Sequence, residues 1–213
     1  MNTSVELLKS DLQECAKLYK NIGFCLYGQQ LISDDILAKW TNELANFNGF
    51  IFNDAVGSSG EKGEYYVADG PSTFKLLEGL EELYKDCIPV MEQITGEKII
   101  PSPYELSIVN AKVYKDTGSQ GAHYDTQPTS CLLFVSHGAP LNIQLLDGTW
   151  VDIDPVPGCI AVFKGRECLH RVPALNSPQF RVTIPMNYYF ENDVWRPEWI
   201  DEAIYLNKDY VSA

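Results

Sequence analysis

Leu106–Tyr114 (LSIVNAKVY), Cys131–Ser136 (CLLFVS), Asn142–Leu145 (NIQL), Trp150–Ile153 (WVDI), Cys159–Phe163 (CIAVF) and Val182–Tyr189 (VTIPMNYY) are short runs rich in β-branched and aromatic side chains. Turn-forming pieces separate them: Asp147-Gly148, Pro155-Val156-Pro157-Gly158 and Lys164-Gly165. Strands at this spacing predict an antiparallel sandwich or barrel over Tyr104 to Phe190. Helical patterning comes first and the strands follow as one block. That order predicts an α+β protein, with N-terminal helices ahead of a double-sheet barrel of the jelly-roll or cupin-like type.

Working outward, Val5, Leu8, Leu12, Cys15 and Tyr19 recur at three- and four-residue steps. They predict an amphipathic helix capped by Ser4 and closed by Gly23, before a short strand Phe24–Tyr27. Ser33-Asp34-Asp35 reads as an N-cap with acidic first-turn residues, opening a helix to about Phe47. Asp54 to Gly70 lacks either periodicity and predicts a long lid or binding loop. Pro71-Ser72-Thr73 opens a third helix towards Ile94, which Pro89 should kink or end. The tail, with Trp195 and Trp199, is expected to fold back as a short helix. No linker is visible, so one domain over 1–213 is expected, with a mainly helical front (1–100), the jelly-roll core (101–192) and a tail (193–213).

The chain has 213 residues, 45% of them hydrophobic, enough to bury a core without disulfides or a structural metal. Its 16 basic against 29 acidic residues give a net charge of −13, which repels phosphate backbones and anionic membranes alike. Nucleic-acid and membrane partners are therefore not expected, while a cationic substrate would suit the acidic surface. Met1 to Glu6 has no basic segment leading into an apolar run, and no run approaches the ~18 residues of a membrane span. Six scattered cysteines without a C-x-x-C pair predict reduced, buried thiols in a cytoplasmic protein.

Three histidines are present: His123, His137 and His170. In extended chain His123 and Asp125 share a face while Tyr124 points away. Antiparallel pairing can return His170 beside them. Two imidazoles and one carboxylate on one side of an ion form the facial triad of non-haem Fe(II) oxygenases, with the opposite positions open. A lone His-x-Asp arises often by chance, but Phe180-Arg181-Val182-Thr183 adds a further element. On a strand, Arg181 and Thr183 share a face and offer a guanidinium fork and a hydroxyl to one carboxylate. His137 is expected in an exposed turn, Arg171 in an ion pair with an acid, and Lys164 in a turn. Tyr65 and Tyr66, in the long loop, are candidate substrate contacts.

On these residues the sequence resembles the 2-oxoglutarate and Fe(II)-dependent dioxygenases, in particular the isopenicillin-N-synthase-like branch that includes the plant soluble oxygenases. The resemblance rests on Gly121-Ala122-His123-Tyr124-Asp125, Asp147 to Asp152, Pro155 to Gly158, Leu169-His170-Arg171-Val172, Arg181-Val182-Thr183 and, at the front, Cys15-Ala16-Lys17 through Ile22-Gly23-Phe24. It implies a double-stranded β-helix core, iron held by His123, Asp125 and His170, and 2-oxoglutarate held by Arg181 and Thr183. Tyr114 occupies the place of a family tyrosine that bonds the cosubstrate carboxylate. The implied reaction consumes O2 and 2-oxoglutarate, releases succinate and CO2, and oxidises a small molecule, hydroxylation being the default and specialised metabolism the expected setting. Thr183 stands where serine is commoner, and the chain is shorter than the plant members. Asp125 argues against halogenation, which needs a small residue there. Two alternatives stay open: an Fe(II) oxidase or cyclase of this fold that does not use 2-oxoglutarate, and a non-catalytic metal- or ligand-binding barrel.

Overall fold

The computed structural model describes residues 8–28, 30–54, 60–61, 63–174, 179–193 and 199–205. Two antiparallel-rich sheets face each other. The larger joins β1 (Leu8–Lys9), β2 (Phe24–Tyr27), β11 (Ile160–Phe163), β8 (Thr129–Phe134), β13 (Gln179–Phe190), β6 (Ala111–Asp116), β4 (Tyr65–Ala68) and β3 (Ile51–Asn53) in that order, with β5 (Ile99–Pro101) also on β13. The smaller runs β10 (Trp150–Ile153), β9 (Leu141–Gln144), β12 (His170–Val172), β7 (Gln120–His123). The expected α+β jelly-roll is what the chain forms.

The large sheet is covered on both faces, so its strands are apolar nearly throughout and period two sorts them only by destination. On β13, Val182, Ile184, Met186 and Tyr188 join the core under the helices; β6 sends Ala111 and Val113 there, and β8 sends Cys131 and Leu133. The alternate residues of β2, β8 and β11, among them Phe24, Leu26, Leu132, Phe134, Ala161 and Phe163, meet Leu141, Ile143 and Ile153 between the sheets. That inner core closes one end of the sandwich, and the open end holds the site.

Four helices precede the barrel: α1 (Leu12–Ile22), α2 (Asp34–Asn46), α3 (Gly70–Leu76) and α4 (Leu80–Thr95). Helix α4 is pinned to β13 by polar as well as apolar contacts. Tyr84 stacks on Tyr188 at 4.6 Å, its hydroxyl donates to the Asn187 carbonyl at 2.7 Å, and the Tyr188 hydroxyl donates back to the Tyr84 carbonyl at 2.8 Å. A final helix, α5 (Trp199–Tyr205), lies across the barrel mouth, where the Ser107 hydroxyl donates to Asp201 at 2.7 Å.

Several local expectations hold. Gly23 ends α1 with φ 81°, a left-handed conformation that suits glycine, and Ser33 caps α2. Others need correction. The first helix begins at Leu12, capped by Asp11, whose carboxylate accepts from the amides of Gln13 and Glu14; Leu8 and Lys9 instead pair with β2. A stronger cap inside the periodic run outcompetes the apolar stripe, and Ser4 lies outside the described residues. Tyr65–Ala68, expected within a loop, is a strand between β3 and β6. The helix expected from Pro71 to Ile94 is two, separated at Leu77–Gly79, where Gly79 takes φ 83°; Pro89 sits inside the second without ending it. Leu106–Tyr114 is a 3-10 turn followed by strand from Ala111. The tail helix is present from Trp199, while Trp195 lies outside the described residues.

Candidate functional site

Strands β7 and β12 pair antiparallel with His123 directly opposite His170, so the return anticipated across 47 residues is made by adjacent strands. The imidazole centroids are 4.2 Å apart, and Phe163 packs edge-on against His170 at 4.7 Å. Asp125, just past the end of β7, brings one oxygen to 3.6 Å from His123 Nε2 and the other to 3.6 Å from His170 Nε2. Those separations are too long for hydrogen bonds. One donor atom from each residue lies within 4.8 Å of the other two, close enough for a single ion to touch all three.

The ring orientations are set by the backbone. His123 Nδ1 faces the Gly121 carbonyl at 2.8 Å, and His170 Nδ1 faces the Cys168 carbonyl at 3.1 Å. A carbonyl only accepts, so each Nδ1 carries the proton and each Nε2 presents a lone pair, to the shared centre for His170 and between that centre and the Gln120 amide, 3.1 Å away, for His123. Asp125 is held by its own amide donating to the Gly165 carbonyl at 2.9 Å and by the Ser130 hydroxyl on its carboxylate. Gly165 has no room for a side chain: a Cβ would lie 2.6 Å from both the Gln127 carbonyl and the Ser130 hydroxyl.

Electrostatics favour the same state. Burial, then the neighbouring His170, lowers the His123 pKa to about 3; burial also lowers that of His170. For Asp125 burial pushes upward, but His170, His123, Lys112 and the Ser130 hydroxyl outweigh it and the net shift is down. Near neutral pH the set is therefore two neutral imidazoles and one carboxylate, the protonation a metal needs.

Beside this trio lies a buried cation. Arg181 is 0% exposed, its guanidinium sits over the Tyr114 ring at 5.1 Å, and Nε, Nη1 and Nη2 have no hydrogen-bond partner among the described residues. Burial lowers its pKa to about 10, so it stays charged. Desolvating a guanidinium with nothing to bind costs several kcal/mol. The cost is recovered when an anion enters, and a carboxylate matches the fork. Thr183 lies two residues along the same face of β13 and is also buried. The donor set and the orphaned guanidinium thus fit a divalent iron and a dicarboxylate cosubstrate. Tyr114 pairs with Arg181 across β6 and β13, but its hydroxyl donates to Gln120 Oε1 at 2.8 Å.

Gln120 and Lys112 were not among the residues expected from the sequence. Lys112 shares the inward face of β6 with Tyr114, and its ammonium donates to Gln120 Oε1 at 3.3 Å. A lysine can only donate, so this contact fixes the amide and turns Gln120 Nε2 to His123 Nε2, 3.1 Å away. The i, i+2 relation of Lys112 to Tyr114 was a usable signal; Gln120, three residues before His123, had none. Asn110, Gln127 and Asn187 complete a polar wall around a cavity of about 270 Å³.

Of the two candidate loop tyrosines, Tyr65 lines this cavity with its ring 5.8 Å from Tyr114. Tyr66 faces the other way, against Phe52 and Lys115. His137 is exposed, Arg171 pairs with Glu61 at 3.0 Å and covers Trp150, and Lys164 lies 3.7 Å from Glu167. All six cysteines are buried and unbridged. Among the described residues no helix is long and apolar enough to cross a membrane.

No protein-family model matches the chain, and no curated protein is similar to it in sequence. Solved structures are similar in fold. The non-heme alpha-ketoglutarate-dependent epimerase SnoN from nogalamycin biosynthesis superposes with a TM-score of 0.68 at 10% identity, over 88% of this chain and 84% of that one. A prolyl hydroxylase from Trichoplax adhaerens, in complex with a hypoxia-inducible-factor peptide fragment, gives 0.64 at 12% identity over 91% of each chain. HygX from Streptomyces hygroscopicus, with nickel and 2-oxoglutarate bound, gives 0.64 at 9% identity over 86% of this chain and 89% of that one. What they share with this chain is the double-stranded β-helix fold of the 2-oxoglutarate/Fe(II) oxygenases.

Proposed function

We propose that residues 1–213 form one cytoplasmic 2-oxoglutarate-dependent Fe(II) dioxygenase domain that oxidises, by default hydroxylates, a small molecule in specialised metabolism. The narrower affinity to the isopenicillin-N-synthase-like branch is part of this reading. One observation carries it: the donor atoms of His123, Asp125 and His170 converge in the same pocket as a fully buried Arg181 without a partner. Together they match a metal-chelating keto acid whose far end is a carboxylate. In this reading His123, Asp125 and His170 hold the iron, and Arg181 with Thr183 holds the distal carboxylate of 2-oxoglutarate.

When bound, iron and 2-oxoglutarate supply the oxidising chemistry by reducing O2, with succinate and CO2 as co-products. The chain contributes the rest. Asp125 stays anionic because Ser130 donates to it and both imidazoles stay neutral. Phe163 keeps the His170 ring in place, and the apolar inner core keeps water from that side. The Tyr114 ring lies 5.1 Å from the guanidinium and supports Arg181, and its hydroxyl, now on Gln120, is within the same pocket for a carboxylate oxygen. The cavity of about 270 Å³, open at the barrel mouth, supports a small-molecule substrate.

The test is spectroscopic. Anaerobic addition of Fe(II) and 2-oxoglutarate is expected to produce a weak visible charge-transfer band, absent in His170→Ala, and substrate turnover is expected to release succinate stoichiometrically. No band from the unaltered protein would leave the binding-barrel alternative. Oxidation of a substrate without succinate would leave the oxidase that does not use 2-oxoglutarate.

A further inference from the structure

Among the described residues two cations line the pocket, Arg181 and Lys112, and binding 2-oxoglutarate employs Arg181 alone. Lys112 is half-buried in the wall, with its ammonium 5.4 Å from the centre of the Tyr65 ring and one hydrogen bond, to a neutral amide oxygen at 3.3 Å. No carboxylate among the described residues lies within ion-pair distance of it. An ammonium has three donors and is strongly hydrated, so a single long bond leaves most of its demand unmet.

Charge bookkeeping says what is missing. Among the described residues the pocket carboxylates are Asp125, committed to the metal trio, and Asp201, at the α5 end, which already accepts from Ser107. A divalent ion on Asp125 leaves one positive charge, matched by the keto-acid end of 2-oxoglutarate. Arg181 matches the other carboxylate. Both negative charges of the cosubstrate are then used, and the positive charge of Lys112 remains. Register gives it a separate position: on the β6–β13 ladder Tyr114 lies opposite Arg181, and Lys112 lies one rung along, opposite Thr183. The ladder continues to Asn110, whose amide donates to the Pro185 carbonyl and whose buried side-chain oxygen has no partner among the described residues.

We infer that Lys112 is the substrate anchor of this pocket and that the substrate is a small organic acid, its carboxylate seated on the Lys112 ammonium beside the Tyr65 ring. This rests on the dioxygenase reading, and it sets the inside of the pocket against the acidic surface, which had favoured a cationic substrate. Asn110 adds selectivity for an O–H or N–H on the same molecule. Without the Lys112 ammonium the Tyr114 hydroxyl still donates to Gln120 Oε1 at 2.8 Å, so the amide beside His123 keeps its orientation.

The probe pair is benzoate and its neutral isostere benzamide, titrated anaerobically into protein loaded with Fe(II) and 2-oxoglutarate. Binding is read from protein fluorescence and from the shift of the charge-transfer band. A charge-assisted bond in a desolvated wall is expected to make benzoate bind at least about tenfold more tightly than benzamide. Lys112→Met is expected to abolish that preference while its affinity for 2-oxoglutarate stays within about twofold, and Lys112→Arg to retain it. Equal affinity for the two probes in the unaltered protein overturns the inference, as does a preference that survives Lys112→Met. So does loss of 2-oxoglutarate affinity in Lys112→Met as large as in Arg181→Met, which would make Lys112 a cosubstrate anchor. If no band forms but a Lys112-dependent preference for benzoate remains, the acid subsite stands and the dioxygenase reading fails.

Discussion

The two faces of β13 and β6 differ as much as two proteins. Towards the helices these strands present Val182, Ile184, Met186, Ala111 and Val113, all 0% exposed and all apolar. Towards the opposite sheet they present Arg181, Thr183, Asn187, Lys112 and Tyr114. Backbone, pairing and burial are shared, and only the parity of the position changes. The outer face stabilises the fold by removing apolar area from water. The inner face costs stability until something arrives to satisfy it, and a protein keeps such a cost where it binds ligands.

That division can be broken experimentally. Ile184→Ala, on the helix face, is expected to lower unfolding free energy by about 2–5 kcal/mol, read from urea denaturation. Its neighbour Arg181→Met should leave the ligand-free protein equally stable or more stable by about 1 kcal/mol, because it removes an unpaired buried charge. The same substitution should weaken 2-oxoglutarate binding by about 2–5 kcal/mol in calorimetry. A destabilised Arg181→Met with unchanged binding would reverse the assignment of the two faces.

Acidity gives a smaller, graded test. Folding holds His123 and His170 neutral, below the ordinary value of 6.5. A histidine with a depressed folded pKa contributes nothing above its unfolded pKa and penalises the fold as pH drops, since only the unfolded chain takes up the proton. The metal-free protein is therefore expected to lose about 1.4 kcal/mol per pH unit for each histidine held neutral, starting below pH 6.5. For His123 the loss continues towards its folded value of about 3. Thermal melts between pH 7.5 and 4.5 measure the slope. A flat profile would mean the histidines titrate normally and the pocket is open to water.

Much of this was legible without coordinates because it depends on local chemistry. Strand parity put Arg181 and Thr183 on one face, His-x-Asp proposed the trio, and the turn residues marked the barrel. The failures have two causes. Asp11 displaced the expected cap, Glu78-Gly79 split a helix, and Tyr65–Ala68 became a strand only because β3 and β6 were there to pair with it. The first two were settled by a local residue that outranks the periodic pattern, and the third by strand partners elsewhere in the chain.

Periodicity, cap residues and the types of side chain available were settled by the order of amino acids, since they follow from what adjacent residues do to one another. The meeting of His123 with His170, the isolation of the Arg181 guanidinium, and the placing of Lys112 and Gln120 in one cavity were decided by folding alone. Strand register and the closing of one sheet over another join His123 to His170 and, 58 positions from His123, to Arg181, and no local propensity spans those distances.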